Sequence, residues 1–215
     1  MTERARKKSL TRQRLSDAAT AMFLERGFDA VRVTEIAAAC GVSEKTVYNY
    51  FPTKESLLLD RFDGTEAALR AALADPALSP VEAAVRVLDA DLAAMTVRAV
   101  PPEWLARFRE LIDSTASLRA YQRAALDRLS ATAAEALAER TGFGPDDPEP
   151  RIAASTLLGL WPVYFRALRT HLTGTASPAE VQERVGEEVR RAAAVIDRGL
   201  RTIRSPSTAP RRSRH

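Results

Sequence analysis

Apolar positions recur at helical spacing along most of this chain, and the residues between the stripes are of the kinds that start and stop helices. Leu15, Ala18, Ala19, Met22 and Phe23 form one stripe and predict a helix from about Thr11 to Glu25, with Gly27 as its stop. Val33, Ile36, Ala37 and Cys40 share the inner face of a short second helix. Gly41 then allows a tight turn, and Ser43 is placed to cap a third helix, with Val42 and Val47 flanking the cap as a hydrophobic staple. Pro52 ends that helix, because proline has no N–H and disfavours helix in the residue before it. Thr53 caps a fourth helix, over about Lys54 to Leu73.

The same starting signal occurs twice further on. Ser79-Pro80-Val81-Glu82 and Ser177-Pro178-Ala179-Glu180 each supply a cap serine, a proline at the first helical position and a glutamate at the third. Between them the pattern predicts a helix to about Val100, a short one bearing Trp104, Leu105, Phe108, Leu111 and Ile112, a long one over about Leu118 to Arg140, and one from about Arg151 to Leu172 with a kink at Pro162. The last helix carries Val181, Val185, Val189, Ala193, Ile196, Leu200 and Ile203. The prediction is an all-α chain of about nine helices.

Composition agrees. Alanine and leucine dominate, and β-branched residues never run together for long. The 215 residues suffice for one large domain or two small ones. One cysteine and two histidines allow no intramolecular disulfide and no Cys-based zinc site, so neither metal nor cofactor is expected. His171 stands alone near a helix end, and no nucleophile–base pairing or Gly-rich phosphate loop occurs, so no catalytic residue is assigned and an enzyme is not expected. The basic N-terminus has no apolar stretch behind it, and no apolar run is long enough to span a membrane; the expectation is a cytoplasmic chain with no membrane partner.

Charge is uneven. Residues 1–14 sum to +5 and residues 198–215 to +6, so the net +4 leaves the body at 4 − 11 = −7. Basic ends fit a polyanionic partner. They are equally what solvated tails look like, and residues 204–215 read as a disordered basic tail.

The third helix carries the most informative chemistry. Val47 and Phe51, four apart, point inward, which leaves Glu44, Lys45, Tyr48 and Asn49 on the opposite face and Thr46 and Tyr50 at its edges. Two short helices joined by a glycine turn make a helix-turn-helix candidate. Asparagine can pair with adenine, lysine with guanine, threonine with a thymine methyl, and tyrosine hydroxyls with phosphates. Lys54 and the N–H groups at the start of the fourth helix offer a phosphate seat.

The segment F-x-x-V-R-V-T-E-I-A-x-x-C-G-V-S-x-x-T-V-Y-x-Y-F-x-x-K-E-x-L, residues 28–57, resembles the N-terminal DNA-binding domain of TetR-family regulators. The resemblance implies an all-helical homodimer in which the first helices bind operator DNA and the rest bind a small effector and dimerise. It implies DNA contacts at Ser43, Glu44, Lys45, Thr46, Tyr48, Asn49, Tyr50 and Lys54. Where the family often has a capping serine or threonine before helix two, this chain has Val31-Arg32. Arg32 can still reach a phosphate, and Thr34 can take part of the lost role. The expected division is residues 1–55 for the helix-turn-helix domain (a basic arm at 1–10), 56–203 for effector binding and dimerisation, and the tail from 204 to 215.

The run R-F-R-E-L-I-D-S-T-A-S-L-R-A, residues 107–120, and the long segment after it are similar to acyl-CoA-type ligand domains in some members, implying an acyl-CoA or other apolar anion as effector. Met95, Trp104, Phe108, Leu111, Tyr121, Trp161, Tyr164 and Phe165 are the expected pocket lining, although aromatics at helical spacing are also ordinary core. Leu157, Val181, Val185, Val189 and Ile196 are the expected dimer face.

Overall fold

The structure is a computed structural model that describes residues 3–59, 61–97, 102–144, 147–172 and 176–200, and among them every regular element is an α-helix. They are α1 (Glu3–Arg26), α2 (Val33–Ala39), α3 (Glu44–Tyr50), α4 (Ser56–Leu59), α5 (Arg61–Ala74), α6 (Pro80–Val97), α7 (Pro102–Ser114), α8 (Ala116–Thr141), α9 (Pro148–Leu158), α10 (Leu160–His171) and α11 (Pro178–Leu200). None of the described helices is long and apolar enough to cross a membrane.

Two differences from expectation are seen. The predicted helix over 151–172 is two helices. Pro162 lacks the N–H that would bond the Leu158 carbonyl, and its ring crowds that oxygen. The chain breaks at Gly159, whose N–H turns back to Thr156 O at 3.1 Å, where an added Cβ would sit 3.0 Å from that same carbonyl. The basic segment at 1–10 is no separate arm: from Glu3 onward it is the first turns of α1, with Lys7 paired to Glu3 at 3.1 Å. The predicted tail at 204–215, Leu200's side chain and Ile203 lie outside what is described.

The chain divides into two compact units that do not follow the expected linear order: residues 1–64 with 101–125, and residues 65–100 with 126–215. In the first, Leu15, Ala19 and Phe23 of α1, Ile36 of α2, Val47 of α3 and Leu57 and Leu58 of α4 share one buried cluster with Phe51, and Ile112 of α7 and Leu118 of α8 join it. Arg107 on α7 donates to Leu24 O at the end of α1, 2.6 Å away.

In the second unit α11 packs on α6, α9 and α10. Val181, Val185, Val189 and Ala193 of α11 lie in the buried cluster that holds Val81, Leu88 and Leu92 of α6, Leu157 of α9 and Leu160, Tyr164 and Leu168 of α10. This corrects the expected dimer face. Leu157 and Val185 are 0% exposed and Val181 and Val189 nearly so within a single chain, so a second copy has no access to them; Ile196 is half-buried against the same cluster. The long stripe is the inner face of α11, covered by its own chain.

Arg140 clamps the turn after α5, donating to the carbonyls of Leu73, Asp75 and Leu78. Glu82 and Glu180 close the two predicted capping boxes, accepting from Ser79 N and Ser177 N at 2.7 and 2.8 Å. These backbone bonds, then the serine hydroxyls, hold both carboxyls below the ordinary glutamate range.

Candidate nucleic-acid interface

The turn between α2 and α3 depends on one glycine. Gly41 sits at φ +67°, its N–H bonds Ala38 O at 3.1 Å, and Val42 N bonds Ala37 O at 3.0 Å. This paired closure of a helix end needs a left-handed residue after the cap, which glycine adopts without steric cost. Ser43 Oγ accepts from Thr46 N at 3.1 Å and contacts Thr46 Oγ1 at 2.8 Å, so the predicted cap is present. Val47 and Phe51 are fully buried, and Val42 packs at the edge of the same cluster. Glu44, Lys45 and Asn49 are exposed, and Tyr48 is 44% exposed, unusual for so large an apolar ring. Thr46 and Tyr50 are half-buried, as edge positions should be. The structure thus brings the predicted reading residues of α3 onto one open face.

At the start of α2, Arg32 occupies the cap position with no side-chain bond of its own, and Glu35, three residues on, accepts from Arg32 N at 2.7 Å. Arg26 bridges Glu35 at 2.8 Å. The Arg32 backbone bond, then Arg26, hold the Glu35 carboxyl below its ordinary value. A capping acid has replaced the missing serine or threonine, and Glu35 three residues past the cap was its visible signal. Arg32 and Thr34 are both exposed.

At the start of α4 the Lys54 ammonium, expected at a phosphate, is engaged within the fold. Its Nζ donates to Phe28 O at 2.6 Å and stands 4.5 Å from the Phe28 ring centre and 5.6 Å from that of Phe23. Ser56 N, which would face an anion, is bonded to Thr53 Oγ1 at 3.2 Å, and Ser56 Oγ returns a bond to Thr53 O. Lys54 therefore ties the start of α4 to the loop after α1. Two basic residues of α1 are engaged in the same way: Arg12 donates to Tyr50 O at 3.0 Å and Arg14 to Cys40 O at 3.2 Å. No sequence signal marks these two, because their partners lie 38 and 26 residues away.

The expected pocket residues fall into two groups, one per unit. Phe108, Leu111 and Tyr121 pack against the core of the first unit, where Trp104 stacks on Phe108 at 5.2 Å. Trp161 and Tyr164 are core of the second, with Met95 and Phe165 beside them. Tyr164 donates its hydroxyl to Asp91 Oδ2 at 2.7 Å and lies 3.6 Å from Met95 Sδ. Among the described residues no three His, Cys, Asp or Glu side chains gather as a metal ion requires.

Comparisons with known proteins agree with this geometry. The family model described as bacterial regulatory proteins of the TetR family matches residues 15–60, and one for the MftR C-terminal domain matches residues 78–184. The chain is 27% identical over 159 residues to a Mycobacterium tuberculosis protein named as the mycofactocin biosynthesis transcriptional regulator MftR, covering 72% of this chain and 78% of that one. It is 34% identical over 74 residues to the HTH-type transcriptional repressor DhaR of Mycobacterium sp., covering 33% of this chain and 37% of that one. Among solved structures, it resembles Thermus thermophilus FadR, a TetR-family repressor in complex with lauroyl-CoA, at 26% identity and TM-score 0.50 over 93% of this chain and 98% of that one. A SmeT–triclosan complex, 21% identical, shares the fold at TM-score 0.57 over 94% of this chain and 99% of that one. With one family model on its reading helices and another on most of the helices after them, the chain belongs to the TetR family of bacterial DNA-binding transcriptional regulators, and is a regulator rather than an enzyme.

Proposed function

We propose that this protein is a cytoplasmic repressor that binds a palindromic operator as a homodimer and is released by a small apolar or acyl-type effector. The observation that carries the DNA reading is the open face of α3, with Glu44, Lys45, Tyr48 and Asn49 exposed while Val47 and Phe51 anchor the helix from behind. In this reading Lys45 and Asn49 address base edges, and Thr46, Tyr48, Tyr50 and Arg32 address the backbone. Two such helices must enter successive major grooves about 34 Å apart, so a dimer is required. For its interface we favour the second unit's exposed apolar side chains, Ile152 on α9 (63% exposed) and Val195 on α11 (64%). An acyl-type effector is supported by the lauroyl-CoA bound to the FadR relative, and the apolar surroundings of Tyr164, Met95 and Phe165 suit an apolar body.

The test is selection of bound sites from a random duplex pool by the full chain, followed by titration of the enriched site with acyl-CoAs and other apolar anions. A palindrome released by one compound supports the whole reading. A palindrome that no compound releases keeps the DNA function and removes the acyl-type effector. Absence of an enriched site at low salt removes the operator itself.

A further inference from the structure

The reading helix is too short to hold its own direction. α3 has seven residues, about two turns, and an isolated helix of that length is unstable in water. Its orientation must come from what grips its two ends and its inner side. Ser43 holds the first end and Val47 the inner side. At the second end the last carbonyls of a helix lack partners and carry the negative end of its dipole. Arg12 of α1 meets that end twice: Nη1 donates to Tyr50 O at 3.0 Å, and the guanidinium lies 4.8 Å from the centre of the buried Phe51 ring. On the same helix, Arg14 donates to Cys40 O at the end of α2, just before the turn into α3.

We propose that Arg12 is a positioning residue for operator recognition. It sets the axis of α3 through Tyr50 and Phe51 and contributes nothing as a phosphate-neutralising charge. This rests on the reading of α3 as the DNA-reading helix. A planar guanidinium can donate to the carbonyl and cover the ring at once, whereas an ammonium on a flexible stem is a point charge that does not hold both. The arginine therefore matters by shape, and its charge can be kept while its role is removed.

The experiment uses the full chain, a duplex site selected from a random pool by the unaltered protein, and a scrambled duplex of equal length. Kd is measured on both across a salt series for Arg12→Lys, Arg12→Gln and the control Arg32→Gln, with thermal melts showing that each protein is folded at the assay temperature. Positioning predicts that Arg12→Lys weakens the selected site about tenfold, the worth of one base-reading contact, and leaves scrambled binding and the salt slope unchanged. Arg12→Gln should do the same, while Arg32→Gln, at a side chain read as a backbone contact, lowers the slope by about one. The proposal is overturned if Arg12→Lys binds the selected site like the unaltered protein, or if Arg12→Gln weakens both duplexes and loses slope, as a phosphate contact would. Should Arg12→Gln fail to fold, Arg12→Lys alone still decides. If the unaltered protein shows no preference for any duplex, the reading of α3 fails first and takes this proposal with it.

Discussion

Lys54 should stabilise the first unit, and replacing it should cost more than a surface lysine would. The charged donor at 2.6 Å from Phe28 O is of a class worth about 1.5–3 kcal/mol. The ring faces at 4.5 and 5.6 Å add about 0.5 kcal/mol each, the low end for a half-exposed cation. Lys54→Met keeps most of the aliphatic stem and removes both the donor and the charge. The expected loss is about 2.5–4 kcal/mol. In urea, at a slope of about 2 kcal/mol/M, the midpoint falls by about 1.3–2 M with the slope unchanged. Trp104 belongs to the first unit and Trp161 to the second, so fluorescence in a Trp161→Phe background reports the first unit alone. A loss below about 0.5 kcal/mol would refute the pin and return the ammonium to the DNA face that the sequence suggests for it.

Other consequences can be measured independently. Leu157→Ala should cost about 2–5 kcal/mol in the second unit as a buried truncation, seen as an earlier Trp161 transition; a variant that melts normally but dissociates on sedimentation would restore the dimer-face assignment. Ser43→Ala should cost about 1 kcal/mol and raise amide exchange in α3, and unchanged exchange would mean the cap is idle. Glu35, Glu82 and Glu180 have folded-state values below that of an unfolded glutamate, about 4.3. Their contribution is therefore complete above that value and is lost as pH falls through it toward the folded values. Replacing all three by Gln, which keeps a capping acceptor, should flatten the melting temperature across that acid range; an equally steep fall would put the acid sensitivity elsewhere.

What could be read from the sequence was local. Gly41, Ser43, Val47 and Pro52 act within a few residues of one another, so the α2–α3 turn and the open face of α3 were predictable from spacing. What could not be read was long-range or degenerate. The carbonyls met by Arg12, Arg14 and Lys54 lie 26 to 38 residues away, and a basic side chain bound for a carbonyl has the same sequence signature as one bound for a phosphate. A valine stripe at helical spacing says that a face is buried but not by which chain; α6, α9 and α10 supply the cover that a second copy would otherwise have to provide. Pro162 announced a break, yet its position at Gly159 depends on which carbonyl the ring crowds. That the expected pocket residues divide between the two units was not legible either, because α7 stands between α6 and α8 in sequence and yet packs with the first unit.

The same degeneracy sets the strength of the protein's electrostatic hold on DNA. Nine basic side chains are described between residues 6 and 54: Arg6, Lys7, Lys8, Arg12, Arg14, Arg26, Arg32, Lys45 and Lys54. Four of them are engaged within the fold, Arg12, Arg14 and Lys54 on carbonyls and Arg26 on Glu35. The other five, 9 − 4, are exposed; Lys7 is paired only with Glu3 on an open surface, a pairing too weak to withhold it. Each neutralised phosphate contributes about 0.9 to the fall of log affinity with log salt. The full count would give a slope of about 8 per half-site, and the exposed set limits it to about 4.5. A salt series on a selected palindrome, divided by two, separates these values. A slope steeper than about 7 per half-site would mean that the cations bonded inside the fold leave their carbonyls when DNA binds, and the reading head would then be assembled on the duplex rather than beforehand.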